Sequence, residues 1–95
     1  MANDRPDLTF QEFEKLLAGA FLPYQCHFKS IDHGSGFEFT LIDNGASVLG
    51  VSYHRQSRIS DKRARSVISQ TRKHLFRLGR KLDPWRFPER AIQAI

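Results

Sequence analysis

RQSRISDKRARSVISQTRKHLFRLGRK, residues 55–81, holds ten basic residues and one acid, Asp61, for a local charge of +9. Residues 1–54 hold three bases and seven acids, a charge of −4, and residues 82–95 balance at zero. The whole-chain charge of +5 hides this division. An acidic part is joined to a strongly basic segment, and charge segregated in this way points to an anionic partner.

The same stretch decides the fold, because it reads as one amphipathic helix from about Asp61 to about Lys81. Ser60 is suited to cap it, since a Ser hydroxyl accepts a bond from the free N–H groups of the first turn. Asp61 follows, where a negative charge suits the helix dipole. At about 100° per residue, Ala64, Val67, Ile68, Thr71, Leu75, Leu78 and Leu82 fall in one arc. Lys62, Arg63, Arg65, Arg72, Lys73, Arg77, Arg80 and Lys81 fill the other side. Gly79 weakens the last turns, and Asp83-Pro84 ends the helix, because the residue before Pro avoids the α region. Phe76 breaks the pattern by projecting among Arg65, Arg72 and Lys73. Either the C-terminal tail folds over it, or it is an aromatic platform for a base, flanked by cations.

Working toward the N-terminus, residues 1–7 are polar and read as a frayed end. Thr9 and Glu12 form a T-x-x-E capping box, with Leu8 and Phe13 placed for the accompanying hydrophobic staple. Phe10, Phe13, Leu16, Leu17, Ala20 and Phe21 share one face of a helix that stops near Leu22, ahead of Pro23. Tyr24 to Ile31 alternates as a strand, with Tyr24, Cys26 and Phe28 on one side. Asp32-His33-Gly34-Ser35-Gly36 is a turn. Phe37, Phe39 and Leu41 alternate in a second strand, and Leu49, Val51 and Tyr53 in a third, with the hairpin signal Asp43-Asn44-Gly45 between them.

A two-residue Asn44-Gly45 turn in a regular hairpin would place the two apolar sets on opposite faces. An odd loop, with Gly45 left-handed in a G1 bulge, brings both onto one face, so burial predicts the odd loop. The other face then shows Glu38, Thr40, Val48, Ser52 and His54. The fold class that follows is α+β: a two-layer α-β-β-β-α domain over residues 8–82. Its three-stranded antiparallel meander carries both helices on one face.

Beyond the basic helix, residues 83–95 read as an extended segment and a short C-terminal helix from Glu89. Pro88 is suited to that helix's first position. Trp85, Phe87, Ile92 and Ile95 are too apolar for a plain tail. They fold back onto the domain or bury against a second copy.

Ninety-five residues allow one domain that buries about 60–70% of its unfolded surface. Apolar content of 40% and a mean hydropathy of −0.47 suit a soluble globular chain. Cys26 is the single cysteine, which excludes an internal disulfide and suits a reducing cytoplasm. The first residues lack the apolar core of a signal peptide, and no run is long enough to span a membrane.

His27, His33, His54, His74 and Cys26 show no metal-ligand spacing, and Cys26 and His27 face opposite ways on one strand. The Asp32, His33 and Ser35 turn does not make a catalytic triad by local order alone. His33-Gly34-Ser35-Gly36 lacks the pattern of a phosphate loop. The carboxylates are scattered. The expectation is a non-enzymatic protein without metal or cofactor.

Two resemblances bear on function. Pro23-Tyr24, Leu41-Ile42-Asp43-Asn44-Gly45, and Ser60-Asp61 followed by Val67-Ile68, Arg72 and Leu75 resemble a family of short bacterial proteins of unknown function, found mainly in pseudomonads. That likeness covers about residues 16–82 and implies no catalytic residue. The α-β-β-β-α order is similar to the double-stranded RNA-binding domain, which grips phosphates with a K-K-x-A-K pattern at the start of its last helix. Lys62, Ala64 and Arg65 fit the later part of that pattern, while Asp61 stands at its first lysine. That family often carries a His between its first two strands, where His33 stands here. The linker Tyr53 to Ile59 lacks its glycines.

These readings predict a nucleic-acid binder, RNA somewhat preferred. Lys62, Arg63, Arg65, Arg72, Lys73 and Arg77 would sit on phosphates, with His33 and Phe76 as secondary contacts. Six neutralised phosphates imply a slope of log affinity against log salt of about −5. The alternative is a dimeric protein-interaction or regulatory module. There the basic helix meets an acidic protein surface and Trp85, Phe87, Ile92 and Ile95 are the anchors. Attachment to an anionic membrane ranks below both, because the apolar arc is needed to cover the sheet.

Overall fold

The computed structural model describes residues 7–55 and 58–88. Helix α1 spans Phe10–Ala20, strands β1, β2 and β3 span Gln25–Ile31, Gly36–Asp43 and Ala46–Tyr53, and helix α2 spans Asp61–Arg77. The strands form one antiparallel sheet in the order β1-β2-β3. The fold is the α+β arrangement expected from the alternating and helical periodicities. Residues 1–6 and the region of the expected C-terminal helix, with Ile92 and Ile95, lie outside the described residues.

The capping box forms at α1. Thr9 Oγ1 accepts from the Glu12 N–H at 3.1 Å, and Glu12 Oε1 accepts from the Thr9 N–H at 2.8 Å. Leu8 and Phe13 are both buried, as the staple requires. Leu8 also donates its N–H to the Ile59 carbonyl, 2.7 Å away, tying the chain before α1 to the chain before α2. Ser60 caps α2 by accepting from the Arg63 N–H at 3.0 Å.

Phe37 is the centre of the core. It is fully buried, and its ring lies between 5.1 and 5.8 Å from those of Phe10, Phe13, Phe28 and Tyr53. Phe13 and Leu17 of α1, Phe37, Phe39 and Leu41 of β2, and Ala64, Val67, Ile68 and Leu75 of α2 join one cluster. Both helices therefore cover the same face of the sheet. Thr71 is the polar member of the α2 stripe, and its hydroxyl is satisfied by the Val67 carbonyl at 2.7 Å. On the opposite sheet face, Lys29 pairs with Glu38 at 3.3 Å.

Two expectations are corrected. The hairpin loop is not odd: Asp43 pairs with Ala46, and Asn44 and Gly45 take φ of 52° and 82°, as in a type I′ turn. The extra residue is Val48, because Ile42 pairs with Ser47 while Leu41 pairs with Leu49. A bulge in the strand does what the loop was expected to do, and both apolar sets share a face. Val48 is therefore partly buried against the core rather than on the polar face.

Helix α2 ends at Arg77, not near Lys81. Gly79 has φ of 80°, the Arg80 N–H reaches the Leu75 carbonyl, and the Gly79 N–H reaches the Phe76 carbonyl. This is a Schellman motif, which only a residue tolerant of left-handed φ closes cheaply. Leu78 is consequently 53% exposed. Leu82, expected on the buried arc of the helix, reaches the core from the segment after it.

Residues 80–88 carry neither helix nor strand, and they fold back onto the domain, one of the two arrangements open for Trp85 and Phe87. Asp83 donates its N–H to the Leu22 carbonyl at 2.9 Å, and Trp85 and Phe87 pack against the core cluster. Their two rings meet edge to face at 5.9 Å.

Candidate functional site

The apolar stripe of α2 faces the sheet, so its polar arc must face outward. Lys62, Arg63, Arg65, Lys73 and Arg77 are all exposed. Among the described residues no carboxylate lies in ion-pair contact with any of these five. Arg80 is different, since its guanidinium meets the Asp43 carboxylate at 3.1 Å. The result is a cationic ridge along α2 whose charges are available to an external anion.

Arg72 does not belong to that set. Its guanidinium donates to the carbonyl oxygens of Ala20 and Asp83, and its side chain is part-buried. Its charge falls at the C-terminus of α1, where unpaired carbonyls and the negative end of the helix dipole collect. The residue fixes the two helices and the tail together rather than presenting its donors to a ligand.

Arg65 keeps its exposed place but gains a partner. Its guanidinium carbon lies 4.2 Å from the centroid of the Phe87 ring. A guanidinium stacked on an aromatic face loses conformational freedom while its in-plane N–H donors stay directed outward. Trp85 and Phe87, weighed above as interface anchors, thus face inward on their own domain. Trp85 lies over Gly19, where a β-carbon would sit 3.5 Å from the indole nitrogen.

Phe76 is 80% exposed, so the described tail does not cover it. It borders an open concavity of about 680 Å³ with Lys73, Arg77, Gly79, Lys81 and Leu82.

His33 stands apart from the ridge. Asp32, His33 and Gly34 take successive φ of 52°, 54° and 89°, making a left-handed turn between β1 and β2. The turn packs on those two strands and not on α2. The Asp32 carboxylate meets His54 Nδ1 at 2.8 Å, which ties the turn to the end of β3. Gly36, just after it, is required to be small, because a β-carbon would fall 2.6 Å from the Tyr53 carbonyl oxygen.

Cys26 lies on the inner side of β1, and burial pushes its thiol up to about 12, with the Glu14 carboxylate adding to the effect. It is held as a neutral thiol, unsuited to nucleophilic or thiolate-ligand chemistry. No helix among the described residues is long and apolar enough to cross a membrane. No family model, curated protein or solved structure matches this chain.

Proposed function

We propose that the protein is a non-enzymatic nucleic-acid-binding domain that holds the phosphate backbone along α2, with RNA preferred. The observation that carries this reading is the run of exposed bases Lys62, Arg63, Arg65, Lys73 and Arg77, without carboxylate partners among the described residues. Phosphates are the chemistry such a ridge suits, because each neutralised phosphate releases counterions and adds favourable entropy. The preference for RNA rests on the element order shared with the double-stranded RNA-binding domain. The inward packing of Trp85 and Phe87 favours this reading over a dimeric module built on those side chains.

Five phosphate contacts, with Arg72 removed from the set, give a salt slope of about −4.5 on duplex DNA or about −3.5 on a single strand. Binding titrations across moderate salt test this directly. An affinity that does not change with salt would sink the proposal, because a ridge of lysines and arginines has no salt-independent means of holding phosphate.

A further inference from the structure

We infer that Phe76 is a stacking platform for an unpaired nucleobase, so that the ligand of the ridge is single-stranded. The inference rests on the phosphate-binding reading above and puts a single strand in place of the duplex that the shared element order implies. A Phe 80% exposed on the helix surface beside Lys73 and Arg77 is the feature that phosphate binding leaves unused. The ring borders the open concavity that it shares with Lys73, Arg77 and Lys81, and a base can stack there.

The neighbours divide into engaged and available charges. Arg72 is bonded to the Ala20 and Asp83 carbonyls and Arg80 is paired with Asp43, so both are already engaged within the domain. Lys73, Arg77 and Lys81 border the same concavity and are exposed. Lys73 precedes Phe76 by three positions, and side chains at that spacing are neighbours, about 5–6 Å apart at their β-carbons. A base on the ring therefore carries its own phosphate toward a cation. A paired duplex offers no free base face within its stack, and opening a step to reach the ring carries an unstacking and unpairing cost that a loose strand does not bear.

The test is fluorescence anisotropy on the full chain. The probes are an unstructured RNA of about twelve nucleotides, the same sequence as DNA, and the corresponding RNA duplex. Tighter binding of the single strands than of the duplex at equal salt is expected. Phe76→Ala should weaken single-strand binding about tenfold while leaving duplex binding and the salt slope unchanged. Phe76→Tyr should restore affinity, and Phe76→Leu should not.

A Phe76→Leu protein that binds like the unaltered one would overturn the platform, because stacking requires a ring and apolar docking does not. Equal losses for duplex and single strand would overturn it too, while leaving phosphate binding in place. No binding to any probe at low salt would overturn both. Phe76 is exposed, so an unchanged melting temperature in Phe76→Ala distinguishes a lost base contact from a lost fold.

Discussion

Arg72, from the middle of α2, donates a hydrogen bond to the carbonyl oxygen of Ala20, the last residue of α1. Helix α1 has no base in its own last turn, so this cation from another element serves its C-terminus. A second donor reaches the Asp83 carbonyl, and one guanidinium thereby joins both helices to the tail. Arg72→Ala should destabilise the protein by about 1–2 kcal/mol in urea melts, since hydrogen bonds from a charged donor are at stake. Lys73→Ala, one residue on and exposed, should change stability by less than about 0.5 kcal/mol and weaken nucleic-acid binding instead. Arg72→Lys should recover little, because an ammonium cannot span two carbonyls as the planar fork does. A stable Arg72→Ala protein that has lost its ligand would return Arg72 to the phosphate contacts.

The hairpin gives a second pair of outcomes. Val48 is the extra residue of β3, and the bulge that absorbs it keeps Leu49, Val51 and Tyr53 on the same face as Phe37, Phe39 and Leu41. Deleting Val48 should leave Ser47 and Leu49 to pair in turn with Ile42 and Leu41 in a regular ladder, keep the apolar set of β3 on the core face, and preserve a cooperative melt weakened only by the lost Val48 contacts. Gly45→Ala, which keeps the register but places a β-carbon at φ of 82°, should cost only about 1–2 kcal/mol. Circular dichroism during urea titration separates the two. A deletion variant without a cooperative melt would show that the bulge does more than absorb the extra residue.

These particular residues mark what the sequence made legible. Capping boxes, turn glycines and periodic apolar faces are local, and Thr9, Ser60 and the α2 stripe could be read from neighbours a few positions away. Burial also showed correctly that both apolar sets of β2 and β3 share a face. It could not say where the compensating residue lies, because a bulge at Val48 and an odd loop at Gly45 satisfy the same alternation. From its neighbours alone Gly79 reads as a weak point inside a helix, whereas its left-handed φ makes it the terminus. Arg72 was indistinguishable from its basic neighbours, since its carbonyl partners lie 52 and 11 residues away. Charge shows in composition, but whether a charge is available depends on tertiary contacts.

Cys26 yields a pH prediction. Its thiol is pushed from the ordinary 9.0 to about 12 by burial first and Glu14 second. The folded state thus keeps a proton that the unfolded chain releases above about 9. Its contribution to stability is fully present below pH 9 and declines as pH rises from 9 toward 12. Cys26→Ala lacks that loss, so the difference between the two proteins should shift in favour of Cys26→Ala across this window. Alkylation of the native thiol should stay slow through pH 9 and approach the unfolded rate only in denaturant. Fast modification of the folded protein at neutral pH would contradict the buried, neutral thiol.

Trp85 provides the clearest separation of a domain-bound tail from a dimer interface. It is the single tryptophan, half-buried over Gly19 of α1 and edge-on to Phe87. Its fluorescence therefore reports the docked tail without interference from another indole. Gly19→Leu should displace the ring, because the β-carbon alone would reach 3.5 Å from the indole nitrogen and the remaining atoms go further. Emission should shift to the red, and Arg65 should lose its stacked partner as Phe87 is drawn away. Trp85→Ala should cost about 2 kcal/mol, below a fully buried Trp→Ala because the ring is only partly covered. Neither substitution should change the sedimentation mass, because the side chains they disturb contact their own domain. A fall in mass on either substitution would instead place Trp85 between two copies of the chain and revive the dimeric module.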